Sequence, residues 1–204
     1  MKIKKKSRFA LVGHGYHLDV LFNELIKNQF PKPLIITHSK KLHIRDVKNS
    51  ENDVDLYRSI LDLEKKTKVF YLKDINSKTG ISILKKNKID YIFSLSSRFI
   101  FKNKIIDYYK NKIFNIHPSL LPDERGGGTF TYRILNKKKF CAATIHLLDK
   151  EIDAGQILLS SKKQKLKKED LPINYLKHTN LIYKSLIKLF VKKIKNNNKF
   201  ILKN

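Results

Sequence analysis

The first part of the chain alternates short β-rich runs with a segment that has the spacing of an amphipathic helix. Residues 9–12 are apolar and end at Gly13-His14-Gly15, after which apolar residues recur at helical spacing through residue 26. A second β-rich run follows at residues 34–37. Because two parallel strands need a crossover connection, usually a helix, this order predicts the start of a parallel sheet.

The alternation continues through most of the chain. We predict further strands at residues 69–72, 90–95, 113–117, 142–148 and 156–160, and helices at residues 56–66, 81–88, 105–109 and 129–135. Residues 39–55 have no clear period and are predicted to form an excursion from the sheet. The pattern as a whole predicts an α/β fold, with a Rossmann-like, doubly wound and mostly parallel sheet flanked by helices.

The C-terminal region is predicted to be one long amphipathic helix that begins near residue 171. Its apolar positions recur every four residues, with Leu189 on the same side, and the opposite face is rich in lysine. These positions are Ile182, Leu186, Phe190 and Ile194. No repeat or low-complexity linker interrupts the chain, so we expect a single domain over residues 1–204.

The high lysine content raises the question of a nucleic-acid partner. The formal net charge is +26, and basic surfaces attract phosphate groups. Lysine is nevertheless spread along the whole chain together with abundant Ile and Asn, as in proteins from AT-rich genomes. We therefore interpret the charge as solvated surface and keep nucleic-acid binding as the alternative.

The chain has no feature that predicts export or membrane insertion. It contains no run of about 18 uncharged apolar residues, and its basic N-terminus leads directly into the first strand. A single cysteine, Cys141, excludes an intramolecular disulfide framework. We expect a soluble cytoplasmic protein that does not contact a membrane.

Polar residues stand at the end of one predicted strand. Asn115 and His117 close the run 113–117, and Pro118 stops it because proline lacks the N–H that a central strand donates. In open α/β sheets, ligands bind at the carboxyl ends of the strands. Asn115 and His117 are therefore candidate site residues.

Four ordered motifs surround and follow this strand end. They are Asn115-Ile116-His117-Pro118-Ser119-Leu120-Leu121-Pro122, Arg125-Gly126, Thr144-Ile145-His146 and Ile152-Asp153-Ala154-Gly155. Together they resemble the 10-formyltetrahydrofolate-dependent formyltransferases. This family includes sugar-nucleotide N-formyltransferases, glycinamide ribonucleotide transformylases and the catalytic domain of methionyl-tRNA formyltransferase. The resemblance implies the formyltransferase fold and 10-formyltetrahydrofolate as cosubstrate, without a metal.

The resemblance also implies that Asn115, His117 and Asp153 are catalytic. An amine that attacks a formyl carbon creates negative charge on the carbonyl oxygen and positive charge on its own nitrogen. Asn115 and a protonated His117 can donate hydrogen bonds to that oxygen. Asp153 can keep His117 protonated by opposite charge and assist transfer of the amine proton.

Other site residues follow from the same resemblance. Thr144 is expected to order a water molecule, and His146 to support the catalytic trio. The cosubstrate is expected to contact Arg98, Phe99, Ile100, Asp149 and Ile152. The acceptor is expected to contact Pro118, Ser119, Arg125 and Gly126. Independently of the resemblance, Gly13 and Gly15 are expected to contact it too, because a glycine turn between strand and helix can present backbone amides to an anion. The role of the glycine run 126–128 stays open between close approach to a ligand and flexibility.

The acceptor amine is less constrained than the reaction. A nucleotide-linked amino sugar is the leading expectation. Glycinamide ribonucleotide is an alternative, although Gly13-His14-Gly15 differs from the longer glycine-serine-asparagine loop that those enzymes use for phosphate. Methionyl-tRNA is a second alternative, although this chain ends before the additional C-terminal domain of those enzymes. A basic RNA-binding protein on a retained fold is the non-enzymatic alternative, and a homodimer is compatible with each.

Overall fold

The computed structural model describes residues 3–48, 60–166 and 172–202. The strands in these ranges are β1 (Phe9–Gly13), β2 (Leu34–Thr37), β3 (Val69–Tyr71), β4 (Tyr91–Leu95), β5 (Ile113–His117), β6 (Phe140–Cys141), β7 (Thr144–Leu147), β8 (Ile157–Ser160) and β9 (Gln164–Lys165). The helices are α1 (Tyr16–Lys27), α2 (Lys40–Lys48), α3 (Ile60–Glu64), α4 (Lys78–Lys86), α5 (Asn103–Tyr108), α6 (Thr129–Leu135) and α7 (Pro172–Lys195).

Seven of these strands form one sheet, in the order β3-β2-β1-β4-β5-β7-β8. The first five are parallel to their neighbours, whereas β7 pairs antiparallel with β5 and β8 antiparallel with β7. The chain builds β1 to β3 outward on one side and then returns to place β4 beside β1. The carboxyl ends of β1 and β4 therefore flank a topological switch point, and the predicted fold class is confirmed.

The sheet is buried on both faces, and its strands divide their side chains between two cores. Phe9 and Leu11 of β1 pack in the core that contains residues of α1 and α7. Ala10 and Val12, which point to the opposite face, pack with residues of α4 and α5. This double burial explains why β1 and β4 read as continuous apolar runs rather than as alternating ones.

The long C-terminal helix is present, but its buried face differs in part from the prediction. Ile182, Leu186, Phe190 and Ile194 are buried as predicted, whereas Leu189 is 44% exposed. Three further buried residues, Tyr183, Ile187 and Val191, widen the stripe on its other side. At about 100° per residue, Leu189 falls just outside that stripe. Among the described residues, no helix is long and apolar enough to cross a membrane.

The predicted excursion at residues 39–55 contains a helix, α2 at Lys40–Lys48. Among the side chains of α2 that the structure describes, Leu42 and Ile44 are exposed and His43 is buried. His43 Nε2 accepts a hydrogen bond from the backbone N–H of Ile60, at 3.0 Å. The helix was missed in part because one of its buried positions is a histidine rather than an apolar residue. Residues 49–55 of the excursion and residues 56–59 of the next predicted helix lie outside the described residues.

The predicted strand at residues 142–148 is shorter and interrupted. Thr144–Leu147 belongs to the main sheet, whereas Phe140–Cys141 pairs with Gln164–Lys165 in a separate two-stranded sheet. Ala142 and Ala143 between them are buried but belong to neither sheet. Burial raises the pKa of the Cys141 thiol, which argues against a nucleophilic role for this cysteine.

The contact between α1 and α7 includes a partly buried histidine. The ring of His17 stacks on that of Tyr183, with centroids 3.9 Å apart, and its Nε2 atom is buried without a hydrogen-bond partner. Burial lowers the pKa of His17 to about 4, and the Asn180 side chain opposes this shift only in part. His17 is therefore neutral in the folded protein under conditions in which an unfolded chain would protonate it.

We expect the protein to lose stability as the pH falls from about 6.5 towards 4. In this window the unfolded chain binds a proton at His17 that the folded chain does not, so acid favours unfolding. One pKa unit corresponds to about 1.4 kcal/mol, so His17 is expected to lower the free energy of unfolding by on the order of 2 to 3 kcal/mol by pH 4. Urea unfolding at several pH values measures it. His17→Phe keeps an aromatic ring on Tyr183 and should flatten the slope, and an unchanged slope would assign the effect to other groups.

Candidate active site

The predicted catalytic residues converge at the carboxyl edge of β5. Asn115 and His117 are two residues apart on this strand and therefore point to the same face. The antiparallel pairing with β7 sets His146 opposite Asn115 and Thr144 opposite His117. Asp153 reaches the same place from the loop between β7 and β8. The structure thus brings together the trio that sequence spacing alone only permits.

The Asp153 carboxylate lies at the centre of this cluster. Its Oδ2 atom is 3.4 Å from His117 Nδ1 and accepts the backbone N–H of Gly126 at 2.9 Å. Its Oδ1 atom is 3.4 Å from His146 Nε2 and 3.4 Å from Asn115 Nδ2. Even so, within the described ranges no group of three or more His, Cys, Asp or Glu side chains is arranged to hold a metal ion.

Backbone geometry aims Asp153 at β5. Asp153 has a positive φ of 51°, a conformation that Asp adopts more readily than most residues. Two residues later, a Cβ on Gly155 would lie 1.9 Å from the carbonyl oxygen of Leu147. Only glycine allows the loop to approach β7 so closely. The Asp-Ala-Gly sequence is therefore what returns the carboxylate to the strand end.

Carbonyl partners assign the neutral tautomers of the two site histidines. His117 Nε2 lies 2.7 Å from the carbonyl oxygen of Glu124, and His146 Nδ1 lies 2.8 Å from that of Leu147. Because a carbonyl only accepts, each of these nitrogens carries hydrogen. His146 Nε2 is then free to accept from Asn115 Nδ2, at 3.1 Å. His117 Nδ1 is the nitrogen that faces Asp153.

Burial has the largest single effect on the pKa values of His117 and Asp153. It lowers the pKa of His117, and the charge of Asp153 and the hydrogen bond to Glu124 oppose this only in part. Burial raises the pKa of Asp153, but hydrogen bonding and charge from His146 and His117 in their protonated forms, together with the backbone N–H of Gly126, outweigh it, so that this pKa lies below its ordinary value. Burial thus opposes the expected protonation of His117 more strongly than the charge of Asp153 supports it.

The trio lines a cavity of about 520 Å³, a volume typical of small-molecule sites. Six other predicted residues also line it, namely Phe99, Ile100, Asp149, Ile152, Pro118 and Gly126. Sequence reasoning did not name Ser94, Ser96, Ser97, Phe101 and Tyr183, which contribute as well. A separate cleft of about 580 Å³ lies near the amino ends of the parallel strands, and none of the predicted site residues line it.

Two predicted site residues instead hold the loop that follows His117. The Thr144 hydroxyl donates to the carbonyl of Ser119 at 2.8 Å and accepts from the backbone N–H of Leu121 at 3.2 Å. The Ser119 hydroxyl donates to the carbonyl of Glu124 at 2.6 Å. Both side chains are fully buried and neither lines the cavity. Their contacts indicate loop anchoring rather than water ordering or acceptor contact.

The two predicted arginines also lie outside the cavity lining. Arg98 is exposed, and its neighbours Phe99 and Ile100 line the cavity in its place. Arg125 forms an exposed ion pair with Glu151, with Nη1 and Oε1 2.9 Å apart. Both arginines were predicted to contact a ligand, but neither side chain lines the cavity.

Gly13 and Gly15, predicted to contact the acceptor, do not line the cavity either. Gly13 has a φ of 138°, and a Cβ there would lie 1.8 Å from the carbonyl oxygen of Leu95 in β4. Its neighbour His14 donates its backbone N–H to the same oxygen, at 3.2 Å. Close packing of β1 on β4, rather than anion binding, accounts for the first glycine.

Gly13→Ala is expected to lower the free energy of unfolding by about 3 kcal/mol or more, because the new methyl group meets backbone and the φ is strained. Gly15→Ala is the matched control. Gly15 also has a positive φ, of 81°, but no atom lies within 4 Å of its Cβ position, so about 1 kcal/mol of strain is expected. Denaturant unfolding of both variants measures the difference, and equal losses would refute the packing explanation.

Sequence reasoning missed the contribution of Glu124 to the site as well as that of Tyr183. Glu124 acts through its backbone carbonyl, which residue type does not reveal. Tyr183 lies in α7, where the helical pattern predicts that an aromatic residue belongs to the core. Its hydroxyl donates to the carbonyl of Ile116 at 3.2 Å, and its ring reaches the cavity. Little in the sequence indicates this role beyond the position of Tyr183 directly after Ile182, the first residue of the predicted apolar stripe.

Comparison with known proteins agrees with the motifs. Residues 5–180 match the family model described as formyl transferase. The bifunctional polymyxin resistance protein ArnA of Wigglesworthia glossinidia brevipalpis is 36% identical over 139 residues, 66% of this chain and 20% of that protein. The methionyl-tRNA formyltransferase of Finegoldia magna is 34% identical over 90 residues, 44% of this chain and 29% of that protein. The matched region thus spans less than a third of either relative.

Solved structures share the fold. Phosphoribosylglycinamide formyltransferase from Bacillus halodurans has a TM-score of 0.75 and 20% identity, and the match covers 91% of this chain and 94% of that one. The N-formyltransferase from Helicobacter canadensis, in complex with folinic acid and dTDP-3-aminofucose, has a TM-score of 0.71 and 21% identity, and covers 97% and 68%. At such identities the likeness concerns the fold alone.

Proposed function

Because the chain belongs to the formyl transferase family, we propose that it transfers a formyl group from 10-formyltetrahydrofolate to a primary amine. The observation that carries this proposal is the Asp153 carboxylate, which contacts both His117 and Asn115 at the wall of one cavity. A basic RNA-binding protein would have no need of this arrangement. The net charge alone supports that alternative.

The contacts of Asn115 suit stabilisation of the oxyanion. One hydrogen of its Nδ2 points to His146, at 3.1 Å, and the other has only a long contact with Asp153, at 3.4 Å. We propose that the second hydrogen turns to the formyl oxygen as negative charge develops there. A preorganised donor of this kind contributes about 2.7 to 4 kcal/mol to the transition state.

For His117 the contacts favour proton transfer over direct donation to the oxyanion. Its Nε2–H is engaged with Glu124, and its Nδ1 faces Asp153. We propose that the carboxylate takes the proton of the attacking amine and passes it to Nδ1. The resulting imidazolium then offsets the charge of the nearby oxyanion.

Bond making and breaking balance in this scheme. The amine nitrogen forms the new bond to the formyl carbon, and the bond from that carbon to the folate nitrogen breaks. The folate nitrogen leaves with the electron pair and takes up the proton that the amine released, which His117 Nδ1 returns through Asp153. No covalent intermediate with the protein is needed, and no metal enters the scheme.

The cavity mouth suits a flat folate ring system. Ile100 and Ile152 line it while being 75% and 65% exposed, and Phe99 adds an aromatic face. Apolar side chains that stay exposed in a cavity wall are typical of ligand sites. We propose that these three residues and Asp149 contact the cosubstrate. The single-domain organisation, the homodimer and the cytoplasmic location stay predictions.

For the acceptor we propose a nucleotide-linked amino sugar. The structural likeness to a protein solved with folinic acid and dTDP-3-aminofucose supports this choice. The likeness to a phosphoribosylglycinamide formyltransferase and the match to a methionyl-tRNA formyltransferase keep those two acceptors as alternatives. The packing role of Gly13 speaks against a phosphate loop at the first turn and so against the purine substrate.

A panel of acceptors tests the proposal. The purified protein is incubated with 10-formyltetrahydrofolate and, separately, amino-sugar nucleotides, glycinamide ribonucleotide or methionyl-tRNA, and release of tetrahydrofolate is followed. We expect kcat/KM to be at least about a hundredfold higher for one amino-sugar nucleotide, which corresponds to about 2.7 kcal/mol. Preference for another acceptor would overturn the sugar assignment. Inactivity with every amine, together with salt-sensitive RNA binding, would overturn the enzyme assignment.

A further inference from the structure

Arg133 is a buried charge close to the catalytic strand. It lies in α6, and its side chain is 1% exposed, which is unusual for arginine unless the guanidinium is paired. Nη2 donates to the backbone carbonyl of Pro118, at 2.6 Å, and lies 3.6 Å from Glu124 Oε2. These partners are the two ends of the segment 118–124, which follows His117 directly.

This segment folds back so that its last residue binds His117. The carbonyl of Glu124 accepts hydrogen bonds from His117 Nε2 at 2.7 Å and from the Ser119 hydroxyl at 2.6 Å. The backbone N–H of Glu124 donates to the carbonyl of Leu120, at 3.1 Å. Arg133 therefore joins the start of the segment to the residue whose carbonyl holds the imidazole.

The position of that carbonyl decides which nitrogen of His117 is basic. A neutral imidazole has a single N–H. A carboxylate alone would attract that hydrogen to Nδ1, because Asp153 Oδ2 is the acceptor on that side. The carbonyl of Glu124 is the nearer acceptor, at 2.7 Å against 3.4 Å for the carboxylate, and this geometry favours hydrogen on Nε2 and a lone pair on Nδ1 facing Asp153. Only this tautomer can receive a proton from Asp153.

We propose that Arg133 is a positioning residue that acts through Pro118 and Glu124 to keep the proton of neutral His117 on Nε2 and the basic Nδ1 towards Asp153. The catalytic consequence rests on the proposed formyl transfer. The tautomer itself is a property of the resting protein and is measured without any substrate.

The test is ¹⁵N NMR of the imidazole nitrogens, which distinguishes the two tautomers. The signals of His117 are assigned by their loss in His117→Asn. Wild type is expected to show the Nε2–H form. Arg133→Met, which keeps side-chain length without charge, is expected to shift most of the population to the Nδ1–H form. The pKa of His117 should also fall further, since the hydrogen bond to Glu124 opposes its lowering.

Two further variants separate positioning from simple stability. Arg133→Lys keeps a cation that can reach one of the two partners, so it should restore part of the Nε2–H population. Leu84→Ala removes a buried side chain of α4 from the core that α4 and α5 form with the sheet. It destabilises the fold without touching segment 118–124. It should leave the His117 tautomer unchanged at a comparable loss of Tm.

The outcomes are distinct. If Arg133→Met keeps the wild-type tautomer and pKa of His117, or if Leu84→Ala shifts them equally, Arg133 is only a structural residue and the proposal is overturned. With an active acceptor, Arg133→Met should also lower kcat by about tenfold to a hundredfold with little change in the Kd of folate. A tautomer shift in a protein without formyl transfer would uphold the positioning role and refute the proposed function alone.

Discussion

Asp153→Asn is expected to lower kcat for formyl transfer by about 10²- to 10⁴-fold, the contribution of a positioned proton-transfer group. Asparagine has the same shape, and its amide oxygen can still accept the backbone N–H of Gly126, so the loop should stay closed on β5. The amide cannot take the proton of the attacking amine. It also cannot offer His117 the negative charge that favours an imidazolium.

Stopped-flow or steady-state release of tetrahydrofolate gives kcat, and fluorescence titration gives the Kd of folate. Folate binding should change less than about threefold, because interactions made only in the transition state affect kcat rather than ground-state binding. Asp123→Asn is the matched control, since Asp123 is an exposed carboxylate on the loop after β5. Near-normal turnover in Asp153→Asn would refute the assigned role, and an equal loss in Asp123→Asn would indicate a loop or charge effect.

The sequence predicted the sheet well because burial on both faces leaves a strong local signal. β1 and β4 are continuous apolar runs bounded by turn residues, and their environment in the sheet requires that composition. The prediction failed where packing does not follow apolar residues. In α2 the polar residue His43 is buried while Leu42 and Ile44 are exposed, and in α7 the exposed Leu189 lies just outside the buried stripe.

The site was predictable as a set of residues but not as a network. Convergence of Asp153 on β5 depends on a positive φ and on the close approach of Gly155 to β7, which are properties of backbone geometry. The tautomer of His117 depends on a carbonyl of Glu124, which any residue at that position would provide. Thr144 had the expected residue type but faces the loop rather than the cavity.

His117→Asn is expected to lower kcat by about 10²- to 10³-fold, because asparagine has no nitrogen that can become basic at neutral pH. The decisive measurement is the double variant His117→Asn/Asp153→Asn. If the two residues form one proton-transfer unit, either substitution already breaks it. The double variant should then be no slower than the slower single variant, within about threefold.

Combining Asn115→Ala with Asp153→Asn provides the comparison for the double variant His117→Asn/Asp153→Asn. In the proposed mechanism Asn115 stabilises the oxyanion, which is a separate task from proton transfer. Asn115→Ala/Asp153→Asn should therefore lose more activity than either single variant and approach the product of the two losses, apart from their 3.4 Å contact. Equal behaviour of the two double variants would contradict this division of labour.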